Sequence, residues 1–214
     1  MQSILLTTIR KITATLEWIS PKLAARWANK LFFSPRSSKR KLPDIPNLQQ
    51  SWLSYTKTSG DKDKCRVYTV GAGPVVLLVH GWEGSSYSFS VIAKALLREG
   101  MKVVLFDLPA HGFSSGKKTN LVEISQIIQQ LAKQESPDGK LKALIGHSFG
   151  AASAGFAIKK GVSTEHFISI SAPTDMDFIF DQFCLTIGAS ATLRQALVDQ
   201  VEAILQGSYK QVSL

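Results

Sequence analysis

Ser148 is the centre of Gly146-His147-Ser148-Phe149-Gly150, a pentapeptide that follows the apolar run Leu141 to Ile145 and precedes the small residues Ala151, Ala152, Ser153, Ala154 and Gly155. The pattern G-x-S-x-G carries chemistry for a steric reason. A sharp strand-to-helix turn forces the central serine into a strained conformation, and bulky residues at the flanking positions would collide. The helix that follows points its amino end at the serine, where partial positive charge favours a developing oxyanion. The chemistry suited to such a hydroxyl is nucleophilic attack in which negative charge develops on oxygen. A pentapeptide alone is weak evidence, and the strand before it with the helix after it is the confirming context.

A second element stands at Val79-His80-Gly81-Trp82. A turn there aims the backbone N–H of Trp82 at the same point as that of Phe149, and two such donors make an oxyanion hole.

These residues need a scaffold, and the sequence supplies one from Val67 onward. Short β-branched runs alternate with helical patterns, the signature of crossover units feeding a mostly parallel sheet. Val75 to Val79, Val103 to Phe106, Leu141 to Ile145 and Phe167 to Ser171 read as strands. Between them Phe89, Ile92, Ala93 and Leu96 have helical spacing. Asn120 caps a second helix, with Glu123 closing a capping-box-like pair and Leu121, Ile124, Ile128 and Leu131 as its buried stripe. Phe149 to Lys160 forms a third, stopped by Gly161. The fold class is α/β, and open sheets of this kind place ligands beyond the carboxyl ends of their strands.

Three segments together, His80-Gly81-Trp82, Asp107-Leu108-Pro109-Ala110-His111-Gly112-Phe113-Ser114 and Gly146-His147-Ser148-Phe149-Gly150, resemble the α/β-hydrolase superfamily in its esterase- and lipase-like branch. They stand in family order, and the resemblance runs from about Val67 to Pro173. It implies Ser148 as nucleophile and the backbones of Trp82 and Phe149 as oxyanion donors. Gly146, Gly150, His80 and Gly81 then shape the elbow and the strand-end turn, while Asp107 and His111 belong to a loop-forming block. The implied substrate is a small acyl ester, apolar in character, with no cofactor and no metal.

A serine hydroxyl needs a histidine to take its proton, and that histidine needs a carboxylate. In this superfamily acid and histidine follow the serine. After Ser148 only one histidine occurs, His166, expected at the start of the strand Phe167 to Ser171 and therefore remote from the chemistry. His147, His80 and His111 are poor candidates for the base, His111 the best placed of them because its loop borders the active end of the sheet. Asp175 and Asp177 are the acid candidates. Phe178, Ile179, Phe180, Phe183, Leu185 and Ile187, with Leu193, Leu197, Val201 and Leu205, resemble a partial cap. The expectation is a chain shortened before its last strands, acid and histidine, and nearly inactive, since losing such a histidine costs about 10⁶ in turnover. A non-catalytic interaction protein keeping the same fold is the alternative, and acyl transfer to an acceptor other than water shares the first chemistry.

The expected organisation is a basic helical arm with its linker at 1–47, an α/β core at 48–174 and a cap-like segment at 175–214. Of the 214 residues, 1–42 hold nine Lys or Arg against Glu17 alone, a net of +8, whereas the other 172 carry 16 basic and 15 acidic groups. Leu5, Ile9, Ile12, Leu16, Ile19 and Leu23 recur at helical spacing, and Pro21 divides or kinks the helix. Two readings stay open: a peripheral helix on an anionic membrane with Trp18 or Trp27 at the interface, or an arm packed on its own domain. Basic residues without an aromatic platform or reading helix argue against nucleic acid. Gly71-Ala72-Gly73 precedes its strand and no phosphate-cradling motif exists, which argues against a nucleotide. The longest stretches free of charge are too short to span a bilayer. Two distant cysteines, Cys65 and Cys184, suit a reducing, cytoplasmic setting.

Overall fold

The computed structural model describes residues 2–36, 41–57, 60–136, 138–173 and 175–212. The chain divides into two compact units, one of residues 35–172 and one combining 1–34 with 173–214.

The first unit is built on six strands: β1 (Gln49–Thr56), β2 (Lys62–Val70), β3 (Val75–Val79), β4 (Lys102–Phe106), β5 (Lys140–His147) and β6 (Ser163–Ile170). Their order across the sheet is β1-β2-β4-β3-β5-β6. β4, β3, β5 and β6 run parallel, as their separation by crossover helices requires. The sheet is nevertheless mixed, because β1 and β2 form an antiparallel pair and β2 lies antiparallel to β4. This hairpin is an addition to the sequence reading. Polar residues such as Gln49, Gln50 and Ser51 on the exposed edge strand β1 hide the usual apolar signature.

β3 is buried along its whole length. Val75, Leu77 and Val79 join one core, with Ile124, Ile128 and Leu131 of the helix Leu121–Glu135 and Ala154 and Ala157 of the helix Phe149–Lys159. Val76 and Leu78 join the opposite core, with Ala93, Ile92 and Leu96 of the helix Ser90–Arg98. Two-sided burial is why the strand reads as an unbroken β-branched and aliphatic run. Asn120 does cap the helix at 121–135, its Oδ1 accepting the Glu123 N–H at 3.0 Å.

The second unit contains α1 (Gln2–Ile19), α2 (Pro21–Phe33), α6 (Met176–Ile187) and α7 (Ala191–Leu205), where α3, α4 and α5 denote the helices at 90–98, 121–135 and 149–159. Pro21 divides the leader: Ser20 accepts the Leu23 N–H and the proline takes the first helical position, where its missing N–H costs nothing. Ala24 and Ala28 of α2 pack with Ile187 of α6 and Leu193 of α7. Phe180, Leu197, Val198 and Val201 form a second apolar cluster, over which Phe32 stacks on Phe180. Of the apolar patch expected at 178–187, Phe180 and Ile187 are buried, whereas Phe178 and Leu185 are exposed. Among the described residues no helix is long and apolar enough to cross a membrane, and both cysteines are free and buried.

Candidate active site

Register brings the chemistry-bearing residues together at the carboxyl end of the central strands. Val79, the last residue of β3, pairs with Phe106 of β4 and Gly146 of β5, so the loops opening at His80, Asp107 and Ser148 leave the sheet side by side. Ser148 has φ 50° and ψ −122° between β5 and α5. Its N–H donates to the Ile170 carbonyl at 2.8 Å, and its own carbonyl accepts the N–H groups of Ala151 and Ala152 at 2.9 and 3.1 Å. A non-glycine residue held at positive φ outside the left-handed helical basin is strained, and bonds on both sides hold it there.

The two flanking glycines are required by close approach. A β-carbon on Gly146 would lie 2.4 Å from the Ala151 Cα, and one on Gly150 would lie 2.3 Å from the His80 carbonyl oxygen. The β3 turn thus touches the start of α5 directly. A β-carbon on Gly81 would lie 3.1 Å from the Ser148 Cβ, which places Gly81 beside the serine side chain. Trp82 follows, its ring edge-on to Phe149 with centroids 5.4 Å apart. Neither the Trp82 nor the Phe149 backbone N–H has a hydrogen-bond partner among the described residues.

Asp107 organises the loop after β4. Its fully buried carboxylate accepts the Ser86 N–H, the Phe113 N–H and the Tyr68 hydroxyl, each at 2.9 Å. Gly112, at φ 50°, leaves room for it, since a β-carbon there would sit 2.2 Å from an Asp107 oxygen. Two histidines lace this loop to the one after β3. His80 Nε2 accepts the Leu108 N–H at 3.0 Å while Nδ1 lies 2.8 Å from the Gly81 carbonyl. His111 Nε2 accepts the Glu83 N–H at 3.0 Å while Nδ1 lies 2.8 Å from the Pro109 carbonyl. An imidazole whose Nε2 accepts and whose Nδ1 faces a carbonyl is neutral, with its proton on Nδ1. Burial, followed by the neighbouring His111, pushes His80 down to about 4. Burial also lowers His111. Glu83 in turn is held by Arg36, which meets both its carboxylate oxygens at 2.6 and 2.8 Å and keeps the carboxyl below its ordinary range.

This places every sequence-level base candidate. His80 and His111 have both ring nitrogens committed to the loops. His147 is exposed beside the turn. His166 is not at the start of its strand: β6 begins at Ser163, and His166 pairs with Ala143, in the middle of β5. Among the described residues no histidine hydrogen-bonds the Ser148 hydroxyl. Asp175 caps α6 through the Asp177 N–H, and Asp177 binds Arg194 and the Tyr209 hydroxyl at 2.7 and 2.8 Å. Arg194, then Tyr209, hold the Asp177 carboxyl below its ordinary range. No cluster of His, Cys, Asp and Glu suited to a metal ion occurs among the described residues. The loop-lacing role of His80 and His111 escaped the sequence reading because their partners stand 28 residues away in the chain.

A family model described as alpha/beta hydrolase fold matches residues 74–172. The chain is similar to the putative chloroplastic methylesterase 11 of Arabidopsis thaliana, 26% identical over 127 residues that cover 57% of this chain and 33% of that protein. It is also similar to protein phosphatase methylesterase 1 of Homo sapiens, 31% identical over 120 residues that cover 48% of this chain and 30% of that protein. The chain thus spans about a third of the length of these curated relatives. Among solved structures, an esterase from Pyrococcus furiosus has a TM-score of 0.54 at 19% identity, over 79% of this chain and 69% of that one. A thioesterase domain from the curacin biosynthetic pathway has a TM-score of 0.52 at 25% identity, over 64% of this chain and 50% of that one.

Proposed function

We infer, from this chain's membership of the α/β-hydrolase superfamily, that it carries the nucleophile half of a serine esterase. Ser148 is the nucleophile, at the elbow between β5 and α5. Its Oγ gives its proton to hydroxide and adds to the carbonyl carbon of an ester, the carbonyl electron pair moving onto oxygen. The backbone N–H groups of Trp82 and Phe149 receive that oxyanion, aided by the positive end of α5. Collapse expels the alkoxide, which takes a proton from water, and leaves an acyl group on Ser148, which water then removes. The observation that carries this reading is the strained Ser148 backbone, at φ 50° and ψ −122° between two glycines that admit no side chain. Strain kept at one serine, with two unpartnered amides beside it, supports a site for charge developing on oxygen. The aromatic edges of Trp82 and Phe149 support an apolar acyl group.

The base is what these residues do not offer. With His80 and His111 neutral and engaged, and no histidine hydrogen-bonded to the Ser148 hydroxyl among the described residues, no positioned acceptor takes its proton there at neutral pH, and turnover of this chain is predicted to fall by about 10⁶ relative to a complete triad. That same observation favours the second reading, a non-catalytic protein that keeps the hydrolase scaffold for binding.

A fluorophosphonate probe, which phosphonylates activated serines, separates them. One-to-one labelling that grows with pH and disappears in Ser148→Ala supports the esterase half-site. Absence of labelling even at strongly alkaline pH, in a protein whose circular dichroism is native, supports the binding protein.

A further inference from the structure

The apolar stripe of α1 splits into two rows. Ile9 and Leu16 face the cluster formed with α2, α6 and α7, together with Thr13, which is fully buried and accepts the Trp27 indole N–H at 3.3 Å. Trp27 is therefore turned inward. Leu5, Ile12 and Ile19, spaced by seven residues and so nearly in line along the helix, stay exposed. Ile4 and Trp18 extend that row, at 71% and 87% exposure, a large apolar patch for a surface helix. Thr8 on the same face turns its hydroxyl back to the Ile4 carbonyl at 2.9 Å. Lys11 is the one charge within this arc, and a lysine beside apolar surface can extend its ammonium outward.

Charge is sorted in the same direction. α1 and α2 carry five basic residues against Glu17, a net of +4, whereas 173–212 carries Arg194 and Lys210 against five acidic residues, a net of −3. Glu17 is engaged by Ser190, on the inner side. Arg10 likewise turns inward, onto the Leu185 and Thr186 carbonyls. Lys22, Arg26 and Lys30 recur every four residues along α2, exposed and with no ion pair among the described residues. An apolar row lies exposed on one helix and a basic row on the next, and Glu17, the one acid of the two helices, is engaged by Ser190.

We propose that the outer face of α1 and α2 is a docking surface for an anionic lipid bilayer. Ile4, Leu5, Ile12, Trp18 and Ile19 enter the acyl boundary, and Lys11, Lys22, Arg26 and Lys30 meet the headgroup charge. A second copy of this chain fits less well, because pairing this face with itself would oppose two basic rows.

Sedimentation of the intact chain with phosphatidylcholine vesicles, with and without phosphatidylserine, tests the proposal. The chain is expected to pellet with the anionic vesicles and to be released as salt is raised. Lys22→Gln, Arg26→Gln and Lys30→Gln are each expected to weaken partitioning roughly fivefold, the equivalent of about 1 kcal/mol per charge. Trp18→Ser with Ile19→Ser is expected to weaken it about tenfold or more. All five positions are solvent-facing, so native circular dichroism and an unchanged unfolding midpoint are expected to accompany the loss. A chain that stays in solution with anionic vesicles at low salt overturns the proposal. So does binding that these variants leave intact, or a dimer broken by Ile12→Asp without vesicle uptake.

Discussion

Gly81 lies against Ser148 so closely that a β-carbon on the glycine would stand 3.1 Å from the serine Cβ. The turn after β3 and the turn after β5 are therefore one packing unit, and space at the serine is set by a residue 67 positions earlier in the chain.

Substitutions at the two turns are expected to separate function from folding. In Gly81→Ala the new methyl meets the movable His147 ring at 2.9 Å and, less closely, the His147 carbonyl oxygen and the Ser148 Cβ at 3.1 Å each. The protein is expected to fold, with phosphonylation of Ser148 slowed about tenfold by crowding, equivalent to about 1.4 kcal/mol of barrier. Gly150→Ala places its methyl 2.3 Å from a backbone carbonyl that cannot swing aside. It is expected to lose about 3 kcal/mol or more in urea unfolding, the range of severe core strain.

The strain at Ser148 is expected to be measurable. Ser148→Gly, free to adopt φ 50°, is expected to raise unfolding stability by about 1 kcal/mol. Ser148→Ala keeps the β-carbon and should not. Equal midpoints for the two variants would remove the case for stored backbone strain.

Stability is expected to fall with acid through the buried histidines. An unfolded histidine titrates near its ordinary value of about 6.5, whereas folded His80 titrates at about 4 and folded His111 is also lowered, both first by burial. Above that ordinary value both states are neutral and this contribution is intact. As pH falls from that value toward 4 the unfolded chain takes up a proton that folded His80 refuses, so stability drops by about 1.4 kcal/mol per pH unit through His80, and His111 adds to the loss in the same direction. Urea unfolding between pH 7 and 4 checks the slope. His111→Gln, which keeps an acceptor for the Glu83 N–H, is expected to flatten it.

Asp107 is expected to be a larger stabiliser than any other polar side chain in these loops. Asp107→Ala strands the buried Tyr68 hydroxyl and the N–H groups of Ser86 and Phe113, with an expected loss of about 3 kcal/mol or more. Tyr68→Phe removes one partner of a carboxylate that keeps two others, with an expected loss of about 1 kcal/mol. Thermal unfolding of both variants, with probe labelling as a second readout, checks the ranking.

Phosphonylation of Ser148 is expected to rise steadily with alkaline pH, without an inflection in the range of an imidazole. Hydroxide then acts as the proton acceptor in place of His80 or His111, whose nitrogens hold the loops. A plateau near neutrality would reveal a histidine base.

Much of this was legible in the sequence for local reasons. Unbroken aliphatic runs announced β3 and β4, because strands buried on both faces have no polar side. Gly146 to Gly150 announced the turn at Ser148, because only residues without bulk survive an approach of 2.4 Å to Ala151 or 2.3 Å to the His80 carbonyl. Asn120 and Pro21 marked helix starts through their own backbone chemistry.

Other properties were decided only by tertiary structure, because they depend on what a residue meets across long stretches of chain. The antiparallel β1–β2 hairpin at the sheet edge draws its order from pairing, with little apolar pattern of its own. A six-residue stripe on α1 defines a helix face, but its division into Ile9 and Leu16 inward and Leu5, Ile12 and Ile19 outward follows from where α2, α6 and α7 pack. A histidine's letter states that it can accept a proton. Whether its lone pair is free is settled by amides such as Leu108 and Glu83, which only folding brings to its ring.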